Sequence, residues 1–188
     1  MGKLTFILGG ARSGKSSYAQ HLAQKLAEES GKSVTFIATA QAFDDEMEAR
    51  IQKHREDRPG EWQTLEVQKD IFDYLIQYPQ QTDIYLLDCV TLLANNVFMQ
   101  LIKDDLVDEA KAKPALENEI DKLIKYTHEH NEEWIIISNE VGLGLVPPYQ
   151  MGRVYRDVLG WANQRLAKEA DEVLWMVAGI PVPIHQFR

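Results

Sequence analysis

Five short apolar runs punctuate the chain, at residues 4–8, 34–39, 84–87, 134–137 and 173–177. Each is unbroken by polar alternation, the pattern of strands buried on both faces. Between them the hydrophobic positions fall at helical spacing. Residues 15–28 carry Ala19, Leu22, Ala23 and Leu26 on one side. Residues 44–57 predict a polar helix, its N-terminal turn suited by Asp44, Asp45 and Glu46 and its end set by Pro59-Gly60. Residues 62–67 predict a strand and 71–78 a short helix. Residues 90–101 predict an apolar helix. The next helix is expected to open at Pro114, with Leu116, Ile120, Leu123 and Ile124 in one stripe. Residues 154–167 predict the last helix. Strand and helix alternate throughout, which predicts an α/β fold on a mostly parallel sheet flanked by helices. With 188 residues and no Gly/Ser/Pro-rich linker, a single domain over residues 1–188 is expected.

The first strand runs into Gly9-Gly10-Ala11-Arg12-Ser13-Gly14-Lys15-Ser16, and a helix follows. This satisfies G-x-x-x-x-G-K-[ST], the phosphate-binding loop, in its required strand–loop–helix setting. Gly9 and Gly14 let the backbone wrap a phosphate with its N–H groups pointing inward. The helix N-terminus adds favourable partial charge. Lys15 is placed to meet the β- and γ-phosphates, and the Ser16 hydroxyl to ligate Mg²⁺. Such a loop also wants a carboxylate at the end of a nearby strand. Asp88, after residues 84–87, is the first candidate for the Mg²⁺ side, and Glu140 a weaker second. No N-K-x-D tetrapeptide is present, which disfavours a Ras-like switch.

Charge narrows the partners. Asp and Glu number 29 against 20 Lys and Arg, a formal net charge of -9, so neither nucleic acid nor an anionic membrane is an expected partner. A phosphate ligand must be held by a local site. The single cysteine, Cys89, excludes an intramolecular disulfide and fits a reducing compartment. No apolar run approaches the ~20 residues of a membrane span. Residues 1–3 lead straight into the first strand instead of a signal peptide, so a cytoplasmic protein is expected.

Against this acidic background, Arg50, Lys53, His54, Arg55 and Arg58 cluster within nine residues. Met47, Ile51 and His54 share one helical face. Two readings stand side by side: a solvated basic face with a packing histidine, or a second phosphate-handling surface with His54 as base or nucleophile. His21 is expected on the surface of the first helix and His185 near the terminus; His128 and His130 are expected in a polar turn, with no Cys or carboxylate spacing for a metal site. Cys89 reads as a packing thiol, and Trp134, Trp161 and Trp175 as core or interface. Trp62, just after the basic helix, is a candidate wall of a ligand cleft.

Taken in order, Leu8 to Ser16, Ile37-Ala38-Thr39-Ala40, Asp45-Glu46-Met47, Arg50-Ile51, His54-Arg55 and Arg58-Pro59 form an ordered set. Trp62, Thr64, Glu66, Leu86-Leu87-Asp88-Cys89, Ser138 to Gly142, Val146-Pro147 and Gly160 to Ala167 continue it. This set resembles the bifunctional adenosylcobinamide kinase / adenosylcobinamide-phosphate guanylyltransferase family, CobU/CobP, of cobalamin assembly. The resemblance spans nearly the whole chain. It implies a P-loop domain of RecA-like type. It implies two reactions: phosphorylation of adenosylcobinamide by ATP or GTP, then transfer of GMP from GTP to adenosylcobinamide phosphate, releasing pyrophosphate. By resemblance His54 carries GMP covalently, with Lys15 as the second catalytic residue. Nucleotide contacts are implied at Gly9, Gly10, Ala11, Arg12, Ser13, Gly14, Lys15, Ser16, Ala38, Thr39, Ala40, Arg55, Glu56, Asp57, Arg58, Glu66 and Asp88. Mg²⁺ is the expected cofactor, at Ser16 and Asp88, with no tightly bound prosthetic group. Asp88 reads the nucleotide, the metal or both. A homotrimer is implied by the resemblance alone. Three departures stand out: Asp88 where relatives often have Glu, Lys53 where some have a second histidine, and Ala40 in place of a common Ser. The competing readings are a plain P-loop small-molecule kinase, for which His54 is incidental, and a noncatalytic nucleotide-binding subunit.

Overall fold

The computed structural model describes residues 2–41, 45–56, 58–103 and 106–184. Its elements are β1 (Leu4–Gly9), α1 (Lys15–Ser30), β2 (Val34–Ala38), α2 (Asp45–Glu56), β3 (Gln63–Glu66), α3 (Ile71–Gln77), β4 (Ile84–Asp88) and α4 (Val90–Met99). They continue with β5 (Ile102–Lys103), β6 (Leu106–Val107), α5 (Glu109–Glu129), β7 (Glu133–Asn139), α6 (Gln150–Glu169), β8 (Glu172–Val177) and β9 (Ile180–Pro183). Seven strands form one sheet in the order β3-β2-β4-β7-β1-β8-β9. All neighbours pair in parallel except β9, which is antiparallel to β8. The expected mostly parallel α/β architecture is present.

The unbroken apolar runs divide by alternation between two layers. Leu4, Phe6 and Leu8 of β1 face a core shared with α3, α4, α5 and α6, together with Tyr85, Leu87, Trp134 and Ile136. Ile7, Phe36, Ala38, Leu86, Ile135 and Ile137 face the opposite side, where α1 supplies Ala19 and Ala23. Both faces are covered, so every central strand needs apolar residues at both parities.

Three sequence expectations change. The helix expected at Pro114 begins five residues earlier, at Glu109, with Pro114 inside it. Ala112 packs fully into the core, and the Ala112 N–H already bonds the Asp108 carbonyl, 2.9 Å away. The carbonyl that Pro114 cannot serve belongs to exposed Ala110, where water can take it. His128 lies inside α5 and His130 caps its end, stacked on Tyr126 instead of sitting in a free turn. β9 is an addition to the expected strands, as are the short β5 and β6; Pro181 and Pro183 are tolerated in β9 because it is the sheet edge. Among the described residues no helix is long and apolar enough to cross a membrane.

Candidate active site

The carboxyl ends of the parallel strands meet in one row. Register aligns Glu66 of β3 with Ala38 of β2, Ala38 with Asp88 of β4, and Asp88 with Ile137 of β7. Two residues further along β7, Asn139 aligns with Gly9 of β1. Ligands of open α/β sheets bind along this edge. Here it opens into a cavity of about 1040 Å³.

The phosphate loop forms one wall. Gly14, with φ +92°, precedes α1 in a conformation that favours glycine. A Cβ on Gly9 would stand 2.7 Å from the Met176 carbonyl oxygen, so only glycine lets β1 leave the sheet here. Lys15 is buried, and its Nζ donates to the Gly10 carbonyl at 2.6 Å. Burial lowers the Lys15 pKa, opposed by Cys89 and Asp88, whose negative forms favour the ammonium.

The opposite wall comes from the basic segment. Ile51, His54, Arg55 and Arg58 line the cavity that Lys15 and Ser16 line from the other side. Arg55 ion-pairs with Glu66, at the tip of β3. Arg58 lies over the Phe36 ring, 3.6 Å from its centre, with its Nε buried and unbonded among the described residues. Burial lowers the Arg58 pKa, and the Asp88 carboxylate opposes that shift as it does for Lys15. Asp88 therefore acts electrostatically on the phosphate loop and on the basic segment alike. Neither His54 nor Asp88 has a protein hydrogen bond to its side chain among the described residues, so both are free to take a ligand.

The family model described as "Cobinamide kinase / cobinamide phosphate guanyltransferase" matches residues 5–184. The chain belongs to this family. It is 37% identical over 184 residues to the bifunctional adenosylcobalamin biosynthesis protein CobU of Salmonella typhimurium, covering 96% of this chain and 99% of the relative. The corresponding CobP of Pseudomonas aeruginosa is 41% identical over 178 residues, covering 95% of each. CobU of Escherichia coli is 36% identical over 184 residues, covering 96% of this chain and 99% of the relative. Among solved structures, an ATPase domain superposes with a TM-score of 0.54 at 14% identity, over 92% of this chain and 68% of that one. A KaiC-like protein of Pyrococcus horikoshii gives 0.50, also at 14% identity, over 92% and 70%. These two likenesses concern the fold.

Against this cobinamide kinase / guanyltransferase frame, most of the expected site residues reach the cavity. Ala11, Arg12, Ser13, Gly14, Lys15, Ser16, Ala38, Ala40, His54, Arg55, Arg58, Glu66 and Asp88 all line it. Thr39 is fully buried; its hydroxyl donates to the Cys89 carbonyl and accepts the Cys89 N–H, both at 2.8 Å. It ties β2 to β4 at the cavity floor. Gly9 and Gly10 shape the loop from behind, and Glu56 is exposed and bonded to Gln52. Asp44, Asp57 and His185, and the side chains of Glu46, Met47 and Arg50, lie outside the described residues. Trp62 packs in the α1-side core instead of walling the cavity, and among the described residues Phe36 lines it. Glu140 is bonded to the Gly142 N–H and does not line the cavity, whereas its neighbour Asn139 does. Phe36 escapes a reading of the sequence because it sits in a strand segment that looks structural, and Asn139 falls within the ordered set without a site role. Only register at a strand end marks them.

Mg²⁺ tests favourably here on donor chemistry. Ser16 and Asp88 offer hard oxygen ligands on the same cavity. Among the described residues no group of three or more His, Cys, Asp or Glu could cage a metal.

Proposed function

We propose that this protein phosphorylates adenosylcobinamide with ATP or GTP, then transfers GMP from GTP to adenosylcobinamide phosphate through a GMP-histidine at His54. Family membership supports the pair of reactions. The observation that carries the mechanism is that one cavity is lined by Lys15 and Ser16 on one side and His54 on the other. A lone phosphate loop serves phosphoryl transfer. A free imidazole facing it adds a nucleophile.

In the kinase step the hydroxyl oxygen of the substrate bonds to the γ-phosphorus, the γ–β bridging bond breaks, the nucleoside diphosphate departs, and the hydroxyl proton passes to solvent. Lys15 and the loop N–H groups hold the phosphate chain. In the second reaction an imidazole nitrogen of neutral His54 bonds to the α-phosphorus while the α–β bridging bond breaks and pyrophosphate leaves. A phosphate oxygen of adenosylcobinamide phosphate then bonds to that phosphorus, and the nitrogen–phosphorus bond breaks, restoring His54. Arg58 and Arg55 neutralise charge on the nucleotide. Mg²⁺, held by Ser16, Asp88 and the phosphates, would supply charge neutralisation on the phosphate oxygens. The protein acts in the cytoplasm, a reading supported by its single cysteine, and as a homotrimer, a reading that rests on the family resemblance alone.

The test is incubation with Mg²⁺ and α-labelled GTP, then denaturation and a count of protein-bound label. An acid-labile, alkali-stable adduct from α-label, absent with γ-label and absent in His54→Ala, is expected. GTP binding without any adduct would reduce the protein to a plain kinase or a binding subunit. Transfer of γ-phosphate to adenosylcobinamide then separates those two.

A further inference from the structure

We propose that Gly179 is a positioning residue for phosphate binding, its backbone N–H holding the Ser13–Gly14 peptide so that the Gly14 N–H is presented to the anion. The inference rests on the reading of residues 9–16 as the nucleotide-phosphate site. Gly179 itself lies on the other side of the loop, in the turn between β8 and β9.

The turn is a two-residue hairpin connection. Val177 pairs with Ile180, and the intervening Ala178 and Gly179 have φ of 50° and 82°. Both values are left-handed, as the tight hairpin turn that suits strand twist requires. β8 is also the parallel neighbour of β1, with Met176 opposite Gly9. The hairpin tip therefore rises beside the loop. The Gly179 N–H donates to the Ser13 carbonyl oxygen at 2.9 Å. A Cβ on Gly14 would stand 3.1 Å from the Gly179 Cα, so the two backbones are in contact.

A trans peptide carries its C=O and the following N–H in opposite directions. Drawing the Ser13 carbonyl toward Gly179 turns the Gly14 N–H away from the hairpin and into the loop. The outer hydrogen bond also polarises the peptide, which strengthens its N–H as a donor. The orientation is set before a phosphate arrives, so ordering that donor takes nothing from binding. Loop and hairpin are far apart in sequence, and no phosphate-loop motif includes this glycine.

The experiment measures calorimetric affinity for GTP and for inorganic tripolyphosphate, and Tm, in the wild type, Gly179→Ala and Gly179→Asn. A Cβ on Gly179 would meet nothing within 4 Å, so φ rather than space decides which side chain the position accepts. Asn tolerates the left-handed region and Ala does not. Gly179→Ala is expected to weaken both ligands by about tenfold, the scale of one lost hydrogen bond. Gly179→Asn is expected to return both to within about twofold of wild type. Equal loss on the two ligands places the effect on the phosphate chain, and a Tm that keeps the variant fully folded at the assay temperature excludes a general loss of stability. Wild-type affinity in folded Gly179→Ala, or a loss confined to GTP, would overturn the inference. If Gly179→Ala does not fold, amide exchange in the nucleotide-free wild type decides instead. Slow exchange at Gly179 supports the lock, and exchange at the rate of an open turn overturns it. A wild type that binds neither ligand would sink the phosphate-site reading itself.

Discussion

The Arg58 guanidinium carbon lies over Phe36, 3.6 Å from the ring centre, and both residues line the cavity at the end of the basic segment. The Arg58 Nη1 reaches the Thr64 hydroxyl only at 3.4 Å, so the ring rather than a strong hydrogen bond holds the head group. Phe36→Leu keeps an apolar residue in β2 and removes the ring face. It is expected to weaken GTP binding by about three- to tenfold, the range of a partly desolvated cation–π contact. Arg58→Lys is expected to lose as much, because an ammonium lacks the planar face that stacks. Isothermal titration with GTP checks both, and unaltered affinity in the two variants would remove Arg58 from the site.

Lys15 presents a conflict between stability and function. Its ammonium is buried, and burial lowers its pKa, so the folded protein holds the charge against a desolvation cost. Lys15→Met removes that charge while keeping most of the stem volume. The nucleotide-free variant is expected to gain up to about 1 kcal/mol of stability. Both transfer reactions are expected to fall by at least about 10²-fold. Thermal unfolding and the two assays report these separately. A destabilised variant would contradict the first statement, and a fully active one the second.

Glu119 is buried in α5 yet bonded to the backbone N–H groups of Asp70 at 3.1 Å and Ile71 at 3.0 Å. It thereby caps α3 from a different helix. Glu119→Ala leaves two N–H groups without a partner and is expected to cost about 2–3 kcal/mol in denaturant unfolding.

The same side chain has a pH signature. Burial raises the Glu119 pKa above its usual 4.5, against the lowering effect of the Ile71 N–H. The folded state thus binds its proton more tightly than the unfolded state. Wild-type stability from this group is full below 4.5 and declines as pH rises from there through the raised folded pKa. Glu119→Gln cannot titrate. The stability difference between the two proteins is therefore expected to shift toward the variant across that interval and then level. A difference that is flat with pH would contradict the raised pKa.

Ala178 adopts φ +50° in the β8–β9 turn, a conformation that L-alanine takes at a cost. Ala178→Asn creates an Asn-Gly pair, the sequence this turn type favours. Stability is expected to rise by about 0.5–1 kcal/mol in chemical denaturation. A loss would mean that the turn is held in shape by contacts that Asn disturbs.

Much of the architecture is legible in the sequence, and the exceptions have identifiable causes. The central strands β1, β2, β4, β7 and β8 are visible because a strand covered on both faces must be apolar at both parities. The start of α5 is hidden because Pro114 looks like a first-turn residue, and only the packing of Ala112 pulls the helix upstream. β9 is masked by prolines that an edge position excuses. Trp62 looks like a cleft wall from its place after the basic helix, but the sheet turns it into the α1-side core and leaves Phe36 to line the cavity.

The chain alone determined the phosphate loop, since each of its residue types answers a local need: Gly9 and Gly14 for backbone approach, Lys15 for charge and Ser16 for a hydroxyl. It also marked the basic segment and His54 by contrast with an acidic chain. Whether those two features share one site was a tertiary matter. Parallel pairing places the strand ends in one row, so Asp88 lies where it acts on both Lys15 and Arg58. Gly179 belongs to the same class: its role depends on β8 lying beside β1, a long-range pairing that no local spacing encodes.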